Sequence, residues 1–140
     1  ASLYVWLRPG GAATGRGVLA DPGMTLRGAA GVAAVLAIGR SLQNFLPMRL
    51  RPRFARPEVF PEMGDAAGMV DWSSMPSDTA MLVGALVAAT WAGSRPLALL
   101  SLAWGALFVC FPRAYFGFHY VSDIVVGWAL GAALMALALK

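Results

Sequence analysis

An all-α bundle of membrane-spanning helices is the fold class that this sequence predicts, and three observations carry it. Of 140 residues, 59% are hydrophobic and only 13% charged, whereas a soluble domain has about 25% charged residues to cover its surface. The stretches Pro96 to Pro112 and Ile124 to Leu139 hold no charged residue. With their flanking turns, each approaches the roughly 20 residues that a helix needs to cross a bilayer core. Glycine and alanine recur along the apolar stretches, as they do where membrane helices pack backbone to backbone. The mean hydropathy of +0.66 agrees.

About five helical pieces in one domain, residues 1–140, follow from the pattern. The first, Ala1 to Leu7, is partial: the chain opens without an initiator methionine, in what reads as the last turns of a helix, so a preceding N-terminal segment is expected. Glycine and proline punctuate Pro9 to Gly23 too often for a regular element. A second helix is expected from about Thr25 to Phe45, ended by Pro47. A long polar loop, Met48 to Met75, holds most of the prolines and acids. The third helix starts near Ser77, an N-cap residue with Asp78 in the first turn, and runs to Ala92. Gly93-Ser94-Arg95-Pro96 reads as a tight turn before a fourth helix, Leu97 to Phe111. The fifth runs from about Tyr120 to Leu139, and the spacing of Gly127 and Gly131 permits close helix contact.

A net charge of +4 does not point to nucleic acid, because the basic residues are scattered at helix ends or gathered in one loop. That loop carries Arg49, Arg51, Arg53 and Arg56, balanced by nearby acids. The scattered set, Arg8, Arg16, Arg27, Arg95 and Lys140, and the loop set with Arg113 tie at five basic residues each by the positive-inside count. The clustered, acid-balanced set reads as a site, which puts the long loop outside. The single cysteine, Cys110, lies in an apolar run, excludes a disulfide framework and reads as a small buried hydrophobe.

Under this topology three segments share one face: the arginine loop, the start of the third helix, and the join of the fourth and fifth helices. His119 and Asp123 are spaced i, i+4 at that join, which puts them on one face of a helix. A carboxylate so placed accepts from one imidazole nitrogen and leaves the other free as nucleophile or base. Alone, the pair reads as a satisfied polar pair in a bundle. Arg113 precedes it, and ionisable residues at a membrane are costly and tend to be functional. Guanidinium forks match phosphate oxygens, although an arginine run alone reads as a solvated or headgroup-facing stretch. Ser77 at a helix N-terminus adds free backbone N–H groups. Together these features describe a phosphate site at one membrane face, with His119 poised to attack phosphorus.

These residues resemble the motifs of the type-2 phosphatidic-acid phosphatases, which share their core with vanadium haloperoxidases. The family pattern is Lys-x6-Arg-Pro, then Pro-Ser-x-His, then Ser-Arg-x5-His-x3-Asp. Arg113, His119 and Asp123 match the third motif, with Pro112 in place of its serine. Pro76, Ser77 and Asp78 match the second, after a Trp72-Ser73-Ser74 lead-in common in bacterial members. In the first, Arg51-Pro52 is present with Asn44 at the lysine position; a second register uses Arg49 with Arg56-Pro57. The resemblance covers Asn44 to the end of the chain.

It implies that His119 forms a phosphohistidine, that Asp123 orients it, and that Arg51, Ser77, Arg113 and Arg49 hold phosphate, with no metal or other cofactor. The expected activity is hydrolysis of a lipid phosphate or a polyprenyl pyrophosphate in a bacterial cytoplasmic membrane, with the site facing outward. The expected partners are membrane lipids and the lipid substrate, not nucleic acid. Thr79 departs from the pattern: it stands where the family has the histidine that protonates the leaving group. Its neighbour Asp78 is expected to point about 100° away. Thr79 and Asn44 together keep a second expectation open, a catalytically silent relative serving as a subunit of a membrane-protein complex or as a headgroup binder.

Overall fold

In the computed structural model, residues 22–60, 71–91 and 94–140 are described. The expected first helical piece, most of the glycine-rich loop after it and the middle of the long loop lie outside the described residues. Among the described residues the chain is helical without strands. Helix α1 is Pro22–Phe45, α2 the short Pro52–Ala55, α3 Asp78–Trp91, α4 Arg95–Tyr115 and α5 Val121–Ala138. A 3₁₀ turn, Pro57–Val59, follows α2. The expected polar loop is therefore partly structured, because Pro52 and Pro57 each supply a preset φ at a helix start.

Helix α4 departs from the expected limits at both ends. It begins at Arg95, with Pro96 in the first turn, where a missing N–H goes unmissed. It also runs through Pro112 rather than stopping at Phe111. The segment Gly105–Cys110 widens into a π-helix, and the Phe111 N–H reaches back to the Ala106 carbonyl. A proline clashes with the carbonyl four residues earlier, and the wider turn relieves that clash without ending the helix.

Helix α3 is the centre of the bundle, packing on α5, α4 and α1. Its contact with α5 is backbone to backbone. A Cβ at Gly131 would lie 1.9 Å from the Met81 carbonyl oxygen, one at Gly127 2.6 Å from the Ser77 oxygen, and one at Gly84 2.3 Å from the Trp128 oxygen. The close contact expected of Gly127 and Gly131 is thus made with α3. Val35, Met81, Ala85 and Met135 form one buried cluster. Ala80, Val83, Cys110 and Ile124 form another, with Cys110 buried as expected.

The outside of the bundle is apolar. Leu99, Trp104, Leu107, Phe108 and Phe111 of α4 are each more than half exposed. Only 17% of the most apolar window of α4 and 28% of that of α5 is buried, so neither is the core helix of a soluble domain. Exposed apolar surface on this scale is rare in soluble monomers. Two helices of this length and hydropathy fit a bilayer.

Candidate active site

The end of α1, the start of α3, the end of α4 and the start of α5 meet at one end of the bundle. Their joins hold one another through hydrogen bonds. The Ser74 N–H donates to the Arg49 carbonyl at 2.9 Å, and the Arg49 N–H donates to Ser73 Oγ at 3.3 Å. This fastens the arginine loop to the approach to α3. The Arg53 N–H donates to the Gly117 carbonyl at 3.0 Å, fastening α2 to the α4–α5 join. Gly117 sits at φ 71°, and a Cβ there would meet the Phe60 ring at 2.7 Å. Only glycine suits both constraints. The turn it makes presents Phe118 and His119 to Arg51.

His119 is 2% exposed. It precedes α5 rather than lying on it, so the expected shared helix face with Asp123 does not form. Its Nδ1 is 2.7 Å from the Ser74 carbonyl oxygen, and its Nε2 is 3.3 Å from an Arg51 amino group. A carbonyl only accepts and a guanidinium only donates. Both neighbours therefore require the same tautomer, with the proton on Nδ1 and a lone pair on Nε2. Burial, reinforced by the charges of Arg51 and Arg113 and opposed by the Ser74 bond and Asp123, lowers the His119 pKa from 6.5 to about 4. The imidazole is neutral at pH 7.

Asp123 is fully buried, but it does not accept from the imidazole. One of its oxygens pairs with Arg49, and the other accepts from the Tyr120 N–H at 2.9 Å. The Nδ1 partner expected to be Asp123 is the Ser74 carbonyl instead, because the break in helix before Val121 turns His119 toward the α3 approach. Asp123 instead fixes the first turn of α5 and anchors Arg49, which also donates to Ser122 Oγ at 3.1 Å and lies over the Tyr120 ring.

Arg51 is buried and donates to the Phe118 carbonyl at 2.9 Å. Burial pulls its pKa below the usual value; Asp78 opposes this, Arg113 adds to it, Asp123 opposes and Arg40 adds. The Arg51-Pro52 register of the first motif therefore reaches the histidine, while Arg56 is exposed. The Arg113 carbonyl accepts from the Phe118 and His119 N–H groups, and its charge acts on both Arg51 and His119. Ser77 is fully buried. Its Oγ accepts from the Ala80 N–H at 3.4 Å, the N-cap bond that its position predicts. Its own N–H donates to the Asp123 carbonyl at 3.2 Å.

At the departures from the motif pattern the chemistry changes. Thr79 Oγ1 donates to Asp78 Oδ1 at 3.2 Å, and the Thr79 N–H donates to the same oxygen at 2.7 Å. Asp78 thus folds back over Thr79 instead of pointing away, because a carboxylate at the first turn seeks free backbone N–H groups. Asn44 is exposed and brings no cation. One turn earlier on α1, Arg40 approaches the other Asp78 oxygen at 3.8 Å. Arg40 has no place in the motif spacing, and the sequence marks Ser74 only as part of the lead-in to the second motif; the i, i+4 relation of Arg40 to Asn44 is the signal that finds the former.

The family model of the PAP2 superfamily matches residues 28–140. The chain belongs to the PAP2 superfamily. Neither a curated protein nor a solved structure gives a match. Membership in the PAP2 superfamily suggests phosphatase activity, and the two apolar helices are compatible with the membrane setting in which that family acts on lipid phosphates. Against that family's motifs, Arg51 and His119 of this member lie side by side, and the second motif ends in a threonine.

Proposed function

We propose that this chain is a membrane phosphatase that hydrolyses a lipid phosphate or a polyprenyl pyrophosphate through a phosphohistidine at His119. The observation that carries the reading is the tautomer lock. The Ser74 carbonyl holds the Nδ1 proton, so the Nε2 lone pair faces the Arg51 guanidinium, where a bound phosphoryl group would take its charge partner. With phosphate present, Arg51 and Arg113 bind the oxygens that gain charge in the transition state. Nε2 bonds to phosphorus as the bond to the leaving oxygen breaks, and that oxygen departs with the electron pair. The imidazole becomes cationic while its Nδ1–H bond to Ser74 stabilises the charge. Water then attacks phosphorus, loses a proton to solvent and returns the Nε2 lone pair. Asp123 and Ser77 act here as positioning residues for Arg49 and the first turns of α5 and α3.

Thr79 sets the substrate order. A monoester expels an alkoxide, whose conjugate acid is about as weak as water, and a threonine hydroxyl does not protonate it. Loss of a positioned acid costs roughly 10²–10⁴-fold. A pyrophosphate expels a phosphate, whose second pKa is about 6, and needs no acid. The site faces outward from a bacterial cytoplasmic membrane in this reading.

The second reading, a silent subunit of a membrane complex or a headgroup binder, is favoured by one observation: the Thr79 hydroxyl is committed to Asp78. Phosphate release in detergent from a polyprenyl pyrophosphate and from phosphatidic acid separates the two. Turnover of the pyrophosphate at least about 10²-fold faster, abolished in His119→Ala, supports the phosphatase. No release from either substrate establishes the silent reading.

A further inference from the structure

Asn44, at the lysine position of the first motif, has an arginine on the same helix face of α1. Arg40 lies one turn earlier on α1, and three contacts place its side chain at the rim of the site. It donates to Gln43 Oε1 at 3.1 Å. Gln43 is itself 3% exposed and donates to the Pro76 carbonyl at 2.8 Å, which ties α1 to the residues just ahead of α3. The Arg40 guanidinium lies over the Trp72 ring. Its distance of 3.8 Å from Asp78 Oδ2 is beyond a hydrogen bond, and at 45% exposure the side chain can turn to a ligand.

The same carboxylate that faces Arg40 through one oxygen holds the Thr79 hydroxyl through the other. Arg40 therefore stands one carboxylate away from the residue at the leaving-group side of the motif. We propose that Arg40 binds the departing phosphate of a pyrophosphate substrate, supplying charge where a monoester phosphatase supplies a proton. This rests on the phosphatase reading of His119 and adds the residue that selects the substrate class. As the P–O bond breaks, the leaving phosphate carries away the electron pair and one more negative charge. A guanidinium at that oxygen stabilises the charge without any proton transfer. The cavity of about 440 Å³ beside Gln43 and Asn44 is lined by Asp71 and, among the described residues, by no cation.

The test separates this role from general phosphate binding. In calorimetry on the intact protein in detergent, the ratio of pyrophosphate to orthophosphate affinity is compared between wild type, Arg40→Gln and Arg40→Lys. The wild type prefers pyrophosphate. Arg40→Gln lowers the preference by about tenfold or more, as loss of a charged hydrogen bond does, while Arg40→Lys retains part of it. A purely structural Arg40 would weaken both anions equally, and that result, or a wild type without preference, overturns the proposal. Turnover gives the second arm. Arg40→Gln slows pyrophosphate hydrolysis while leaving an activated aryl phosphate near the wild-type rate. Aryl phosphate turnover that persists and still depends on His119 keeps the phosphatase reading standing even where the Arg40 proposal fails.

Discussion

His119 donates a hydrogen bond from Nδ1–H to the main-chain carbonyl of Ser74 at 2.7 Å. A carbonyl cannot move away from its backbone and cannot itself be protonated near neutral pH. The tautomer is therefore fixed by the path of the chain before α3 rather than by a titratable partner. A neutral acceptor stabilises the cationic phosphohistidine less than a carboxylate does, so this lock favours orientation over activation.

Asp123→Asn is the sharpest consequence. The asparagine carbonyl can still accept from the Tyr120 N–H, and Arg49, 39% exposed, turns to solvent. Phosphate release is expected to fall by less than about tenfold, with loss of thermal stability on the order of 1–3 kcal/mol from the disturbed buried pair. A fall near 10⁴-fold at unchanged stability, the signature of a carboxylate that sets a histidine tautomer, would show that Asp123 bonds the imidazole in the working enzyme.

The chain has one histidine, so imidazole NMR of tag-free protein reads His119 alone. A titration midpoint near 4 is expected, against 6.5 for a free histidine. The unfolded chain binds the proton below 6.5 and the folded chain only below about 4. Stability is thus level above pH 6.5 and is lost as the pH falls from 6.5 toward 4, by on the order of 3 kcal/mol. A midpoint near 6.5 contradicts the buried neutral imidazole.

Thr79→His restores a group that titrates near neutrality on the leaving-group side. Phosphatidic acid hydrolysis is expected to rise by roughly 10²-fold or more, with pyrophosphate hydrolysis changed far less. Rates of both substrates that rise together, or neither, would remove Thr79 as the cause of the substrate order.

Gly131→Ala tests the seam that aligns the site. The new methyl meets the Met81 carbonyl oxygen at 1.9 Å, and neither helix backbone can yield without moving Ser77 or Asp123. Overpacking costs about 1–3 kcal/mol or more, so a lower melting temperature in detergent and lower activity are expected together. Gly28→Ala, with nothing within 4 Å, is the control that leaves both unchanged.

Much of this architecture was legible from hydropathy and spacing, because a membrane helix carries its signal in every residue. Helix order, the Ser77 cap and the tight glycine seam follow from local sequence, and the placing of the Arg51, Arg113 and His119 segments at one end follows from the alternation of spans and loops. The His119 partner did not, since i, i+4 spacing brings two residues together only if a helix runs through both, and α5 starts two residues after His119. The course of α4 through Pro112 was equally hidden, because whether a proline ends a helix or opens a π turn depends on what packs around it. Arg40 escaped because it sits in a helix that otherwise reads as apolar and outside the motif spacing.

The phosphohistidine itself is the most direct measurement. Protein mixed with a polyprenyl pyrophosphate, quenched in alkali within a turnover and analysed by mass spectrometry should carry one acid-labile phosphoryl group on His119, absent from His119→Ala. Phosphate release that continues with no phosphoryl group on His119, or that survives His119→Ala, contradicts His119 as the nucleophile.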